Sequence, residues 1–308
     1  MEIISRNMAK KQHEIFKRQN EPTIQLLIVA QHYTYTNAKH WVFVLFFVLV
    51  VFPVGINIAL FFNMPDLATG LLALSSLVLL AFGELIRNHI QKEKRYAAML
   101  QQKFDTYVFD INNQYGIDEN IIAEQLEKYK KKDWERKQNW YQNYEYMNNQ
   151  KAIFYCQKEN VDWTNNISKR YCNFLLAIVT ILFLSFVVNF VINNSSIIKI
   201  LSISIAALPL ISYGFSSYKK IKHDNIEMAE IDKFVKEINS NIDTIDETEL
   251  NNKINVLQTM IFKFRQTKYL IPDWFEKKYR KHLQAVEARK AGQRIAKDKR
   301  TKRGGNQK

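Results

Sequence analysis

Between Trp41 and Ile86 the sequence holds two apolar runs separated only by Asn63, Met64, Pro65 and Asp66. The first, Trp41 to Phe62, contains no charged side chain. At about 1.5 Å per helical residue it is long enough to cross a hydrocarbon core roughly 30 Å thick. The second, Leu67 to Ile86, meets its first charge at Glu84, where a helix of that length leaves the lipid. So short a connection cannot hold a domain, and the pair is predicted to be a transmembrane helical hairpin.

The device returns at 173–215, with Phe174 to Ile192 as one arm, Asn193 to Ser196 as the turn and Ile197 to Phe215 as the other arm. Lys199 makes this last arm the weakest of the four, since only from Ile200 onward is it cleanly apolar; a lysine there can snorkel to the interface. The expected fold is therefore an all-α integral membrane protein: two transmembrane hairpins, with a helical cytoplasmic domain built from extensions of the same helices. Buried helices of a soluble protein are the competing reading, but uncharged runs of this length are rare in soluble cores.

Charge sets the orientation. The 308 residues carry 44 Lys and Arg against 30 Asp and Glu, a net charge of +14, and of the basic residues only Lys199 lies in or near either hairpin turn. By the positive-inside rule both ends and the segment between the hairpins face the cytoplasm. Cys156 and Cys172 then sit where thiols stay reduced, so no disulfide is expected. The expected divisions are an amphipathic approach segment at 1–40, hairpins at 41–86 and 173–215, cytoplasmic helical regions at 87–172 and 216–288, and a basic, disordered tail at 289–308. Such a tail is attracted to anionic lipid or nucleic acid.

Within the first span Pro53 predicts a local kink, and Gly55 with Ala59 forms a pair of small residues that lets another helix approach; Gly70 offers the same in the second span. Asn57, Ser185 and Asn189 are polar side chains that can line a weakly polar path once several copies surround it. No acidic or basic residue lies deep in any span, which argues against an ion-coupled transporter. Outside the spans, Asp118 can cap a helix carrying Ile121, Ile122, Leu126 and Tyr129, and Gly116 is expected to end the element before it. Lys128 and Lys130 to Lys132 precede Trp134, Trp140, Tyr141 and Tyr144; basic residues among aromatics either hold a phosphate and stack a base or form an ordinary helix face over a core. Lys158, Trp163, Arg170 and Trp274 are the candidate contacts for an anionic ligand, and each can equally be a packing residue.

No enzyme signature is present. The six histidines are scattered, none at metal-ligand spacing from another or from a cysteine, and there is no phosphate-binding glycine loop, nucleophile elbow or H-E-x-x-H. Neither a metal nor a resident cofactor is expected.

Four strings of residues carry a resemblance: Phe104-Asp105-x-Tyr107-Val108-Phe109, Asn139-Trp140-Tyr141, Cys156-Gln157-x-Glu159-Asn160-x-x-Trp163 and Pro272-Asp273-Trp274. With the two hairpins, they make the stretch from about Gln25 to Arg280 resemble the SMODS-associated four-transmembrane effector family, with Lys158 standing where an arginine is expected. The resemblance implies an effector of bacterial antiphage signalling (CBASS), encoded beside a cGAS-like nucleotidyltransferase. Such an effector answers a cyclic oligonucleotide, its activating ligand, by damaging the inner membrane. The implied partners are that nucleotide, membrane lipid and further copies of the chain, with no nucleic-acid polymer. The alternative class is a scaffolding membrane protein that recruits a cytoplasmic partner. Both classes share one topology: a reporter fused after Lys308 should be cytoplasmic and one inserted at Asn194 periplasmic, and a periplasmic C-terminus would mean that Ile197 to Phe215 does not cross.

Overall fold

The computed structural model describes residues 15–62, 64–112, 115–135, 137–144, 147–192 and 197–305. Asn63 and the turn from Asn193 to Ser196 lie outside them. Among the described residues every regular element is helical: α1 Pro22–Phe46, a π-helical turn Phe47–Val51, α2 Phe52–Phe61, α3 Asp66–Phe109, α4 Glu119–Tyr129, α5 Asn149–Ile192, α6 Ile197–Ser240, α7 Glu247–Thr267 and α8 Asp273–Gly305. Four of the helices are long and apolar enough to cross a membrane. Helices α3, α5 and α6 have 44 residues each. That corresponds to about 66 Å, twice a hydrocarbon core, so each continues into water as one rigid rod.

The lipid-facing surface coincides with the runs read from the sequence. Phe43, Leu67, Phe82, Ile181, Val191, Ile197 and Phe215 are all more than half exposed in the isolated chain, as suits a hydrocarbon surrounding. The kink expected at Pro53 takes the form of the π-turn just before it. Proline lacks an N–H and its ring clashes with the carbonyl four residues back, and widening the preceding turn relieves both. Close approach of helices falls at glycines the sequence did not single out: a Cβ at Gly214 would lie 2.6 Å from Val179 Cγ1, and one at Gly83 2.9 Å from Leu49. Gly55 and Gly70 face open space, with nothing within 4 Å of an added Cβ.

Asn57 and Asn189 tie the two hairpins together. The Asn189 amide donates to Asn57 Oδ1 at 2.8 Å and to its backbone carbonyl at 2.7 Å, and Asn57 donates to Ser185 Oγ at 3.5 Å. Within one chain these groups are thus inter-hairpin bonds, both asparagines being buried. Lys199, given as a snorkelling residue, is buried as well.

Two apolar cores result. One lies among the spans, with Leu45, Leu49, Ile203, Ala206 and Leu210; the other fills the water-facing bundle, with Phe104, Tyr144, Phe154, Ile254 and Leu257. The bundle is fastened by a buried polar cluster. Asp105 on α3 accepts from Arg265 Nη1 at 2.5 Å, from Tyr141 OH at 2.5 Å and from Gln258 Nε2 at 3.1 Å. Gln157 on α5 donates to Gln258 Oε1 at 3.0 Å, and Asn160 donates to Tyr141 OH at 3.1 Å. Helix α7 and the connection at Tyr141 are thereby bound to one carboxylate, and α5 is tied to it through Gln258 and Tyr141.

Local expectations mostly stand. Asp118 caps α4, accepting from the amides of Asn120 and Ile121. Helix α3, however, ends at Asp110, which adopts the left-handed conformation at φ 54°; Gly116 comes later, in the loop.

The segment from Arg289, expected to be a disordered tail, is helical as far as Gly305. Helix α8 starts at the membrane boundary, where Trp274 packs on Phe174, and runs back along α5. Lys290 and Arg294 reach Asp162 on α5 at 3.1 and 3.4 Å, and Arg294 donates to Tyr144 OH at 2.9 Å. Those partners could not be seen in a run of basic residues. About 24 Å of helix separates Trp274 from Lys290, which carries the basic end away from the lipid surface.

Removing Asp105 strands Arg265 in the core. Asp105→Ala should destabilise by about 3–5 kcal/mol. Glu237→Ala, which breaks an exposed pair with Lys253, should cost under about 1 kcal/mol. Melting temperatures of the detergent-solubilised variants check the contrast.

Candidate functional site

A cavity of about 510 Å³ opens where the two cores meet, on the water-facing side of the membrane boundary. Helix α1 supplies Gln31, His32, Tyr35 and Lys39; α5 supplies Asn160, Trp163 and Thr164; Asp224 comes from α6, and Arg265 and Lys268 from the end of α7 and the turn after it. The first turns of α8 close it with Asp273, Glu276, Lys277 and Arg280, and the 130–148 connection adds Trp134 and Trp140. Its size lies within the range of small-molecule sites, roughly 300–1,000 Å³.

Aromatic faces form one wall. His32 stacks flat on Trp134, ring centres 4.1 Å apart and 6° from parallel, and Trp134 leans on Trp140 at 5.9 Å. Cations line the cavity as well, among the carboxylates Asp224, Asp273 and Glu276. Lys39 bridges Asp273 at 2.6 Å and Glu276 at 3.1 Å, and Arg280 holds Glu276 at 3.2 Å. Burial pushes the Glu276 carboxyl up, but Lys39 and Arg280 outweigh it and hold the pKa below the ordinary glutamate value. Lys268 lies over the Tyr35 ring at 5.6 Å. Burial, with Arg265 and Lys39 nearby, draws its ammonium down to about 8. Planar stacking surfaces beside cations suit a phosphorylated aromatic ligand better than an apolar one.

Of the residues singled out from the sequence as anion contacts, Trp163 borders the cavity. Lys158 pairs with Asp162 at 3.3 Å, the Arg170 guanidinium lies over the Tyr279 ring at 5.1 Å, and Trp274 packs on Phe174; none of the three reaches the cavity lining. Lys39, Arg265, Lys268 and Arg280 were missed. Lys39 stands alone ahead of a span, and only the fold brings α8 to it. Trp134 and Trp140 had a signal, the aromatics after the lysine run. Burial raises the Cys156 thiol well above its ordinary value, so it is a packing group rather than a nucleophile.

Hairpins, helical extensions and a charged, aromatic cavity under the lipid define a multi-pass membrane protein with a ligand-sized site in its water-facing bundle. The chain belongs to the SMODS-associating 4TM effector domain family, whose profile matches residues 13–293. It is also similar to a protein of Bacillus cereus (strain VD146) described as a probable CBASS effector molecule, 26% identical over 270 residues, covering 84% of this chain and 90% of that one. No solved structure matches it at a significant level. The strings that carried the resemblance converge in space: Asp105, Tyr141, Gln157 and Asn160 make the buried cluster, while Trp140, Asn160, Trp163 and Asp273 border the cavity.

Since Lys268 holds its proton only below about 8, affinity for an anionic nucleotide should fall as pH rises through that value. Titration calorimetry in detergent at stepped pH checks this, and Lys268→Met should remove the step.

Proposed function

We propose that the chain is a non-enzymatic effector of antiphage defence, seated in the bacterial inner membrane with both ends in the cytoplasm. It binds a cyclic oligonucleotide, made by a neighbouring cGAS-like nucleotidyltransferase, in the cavity between its two cores and then permeabilises the bilayer. The observation that carries this reading is the cavity's mixed lining, aromatic rings together with cations. Membership of an effector family and the asymmetry of lysine and arginine support it.

The bound phosphates compete with Asp273 and Glu276 for Lys39 and Arg280. Lys39 lies two residues before Trp41, on the helix that becomes the first span, so weakening its grip on α8 changes what holds that span in place. A ligand shifts such an equilibrium only through its different affinity for the two arrangements. One bundle of four apolar helices has no aqueous lumen, so the permeabilising form is an oligomer. Gly55 with Ala59 on α2, and Gly70 on α3, are small residues at which neighbouring copies can meet, the two glycines having open space beside them. In the rearranged oligomer Asn57, Ser185 and Asn189 become available to line a path.

Dye-loaded liposomes containing the chain should stay sealed alone and leak when a cyclic oligonucleotide that binds is added, with a rise in oligomer size. Protein that binds nucleotide yet leaves the liposomes sealed and its oligomer size unchanged would contradict the effector reading and favour a scaffold.

A further inference from the structure

A second cavity, of about 380 Å³, lies apart from the site already described, between α5 and α6. It runs from Cys172 to Phe183 on α5 and from Leu210 to Ile221 on α6, the ends of the two spans next to the water-facing bundle. Either stretch rises about 16 Å along its helix, half of a hydrocarbon core roughly 30 Å thick. The recess thus covers the depth of one leaflet, which is the length of an acyl chain. Its lining carries no charge. The helices touch within it, since a Cβ on Gly214 would lie 2.6 Å from Val179 Cγ1, while Leu176, Phe183, Ile211 and Phe215 around that contact are exposed. Water would find no hydrogen-bond partners there, and an empty recess forfeits dispersion contacts.

The mouth of the recess is chemically different. Tyr218 lines its bundle end, and Lys222 follows one helical turn later on the same face of α6. Lys219 and Lys222 are exposed, and among the described residues neither has an ion pair or a hydrogen bond. Lys220 differs, being paired with the buried Asp224 at 2.5 Å. The next carboxylate along α6, Glu227, lies beside His223 at 3.9 Å. Two free cations at the polar end of an acyl-length recess match the phosphate of a lipid headgroup.

We propose that the recess between α5 and α6 seats one acyl chain of an anionic phospholipid from the adjoining leaflet, its phosphate held by Lys219 and Lys222. An ethanolamine headgroup would bring an ammonium up to the same lysines, so the site selects a headgroup of net negative charge, such as phosphatidylglycerol. A second copy of the chain is the competing occupant. It is disfavoured because Glu84, the acid at the matching end of the second span, is already paired with Arg87. The inference does not depend on the nucleotide reading.

Native mass spectrometry of the full chain in detergent, after incubation with equal amounts of phosphatidylglycerol and phosphatidylethanolamine of identical chains, tests it. The parent should retain phosphatidylglycerol at least about 5-fold over phosphatidylethanolamine, and Lys219→Gln with Lys222→Gln should bring that ratio to about 1 at the parent's melting temperature. Ile211→Trp, whose indole fills the recess from an exposed position, should lose both lipids. Leu201→Trp, exposed on the same span but outside the recess, should lose neither. Equal retention of the two lipids by the parent, a preference that survives the lysine changes, or parental retention by Ile211→Trp overturns the proposal. So does a lipid-free dimer, which would give the recess to a second copy.

Discussion

A buried carboxylate organises the water-facing half of this protein. Asp105 is wholly inaccessible to solvent and lies one residue after Phe104, deep in the core. Burying a lone carboxylate costs several kcal/mol, so its surroundings must supply a cation and donors. Arg265 and Gln258 do so from α7, and Tyr141 from the connection between α4 and α5. Burial, with Asp105 beside it, raises the Tyr141 phenol well above its ordinary range, so the hydroxyl remains a donor at any physiological pH. Satisfying one charge thus fixes α3, α7 and the 130–148 connection relative to one another, and through Asn160 and Gln157 it fixes α5.

This cluster and the cavity share residues. Arg265 is held by Asp105 through one nitrogen and is among the residues lining the cavity; Asn160 bonds Tyr141 and borders the cavity as well. Part of the cavity's lining is therefore held by the same hydrogen bonds that fasten the bundle. A second group of lining residues is different in kind. Lys39, Asp273 and Glu276 form an ion-pair group at the edge of the lipid, between the helix that enters the first span and the helix that ends the fold. A ligand-driven switch of the kind proposed needs such an ion-pair group between two helices, one that a competing anion can open.

The spans were legible because hydrocarbon imposes a rule that sequence obeys residue by residue: Trp41 to Phe62 and Phe174 to Ile192 admit no charge. The cap at Asp118 was legible for a similar reason, since capping is local. What escaped was non-local. Lys39 looks like any lysine before a span until α8 brings Glu276 to it, and Arg289 to Lys308 looks like a solvated tail until α5 is seen to present Asp162 to Lys290 and Arg294. Arg170 and Trp274 were drawn by composition to the ligand site. In space they lie at the membrane boundary, Arg170 over the Tyr279 ring and Trp274 edge-to-face against Phe174.

The central claim is that a nucleotide's phosphates and the carboxylates of α8 compete for the same cations. The most direct measurement is the affinity of the activating cyclic oligonucleotide for Glu276→Gln against the parent chain. Removing that one negative charge while keeping the side chain's shape frees Lys39 and Arg280, so the account predicts tighter binding, with leakage beginning at lower ligand concentration. Binding that is unchanged or weaker in a variant that keeps the parent's melting temperature would contradict it.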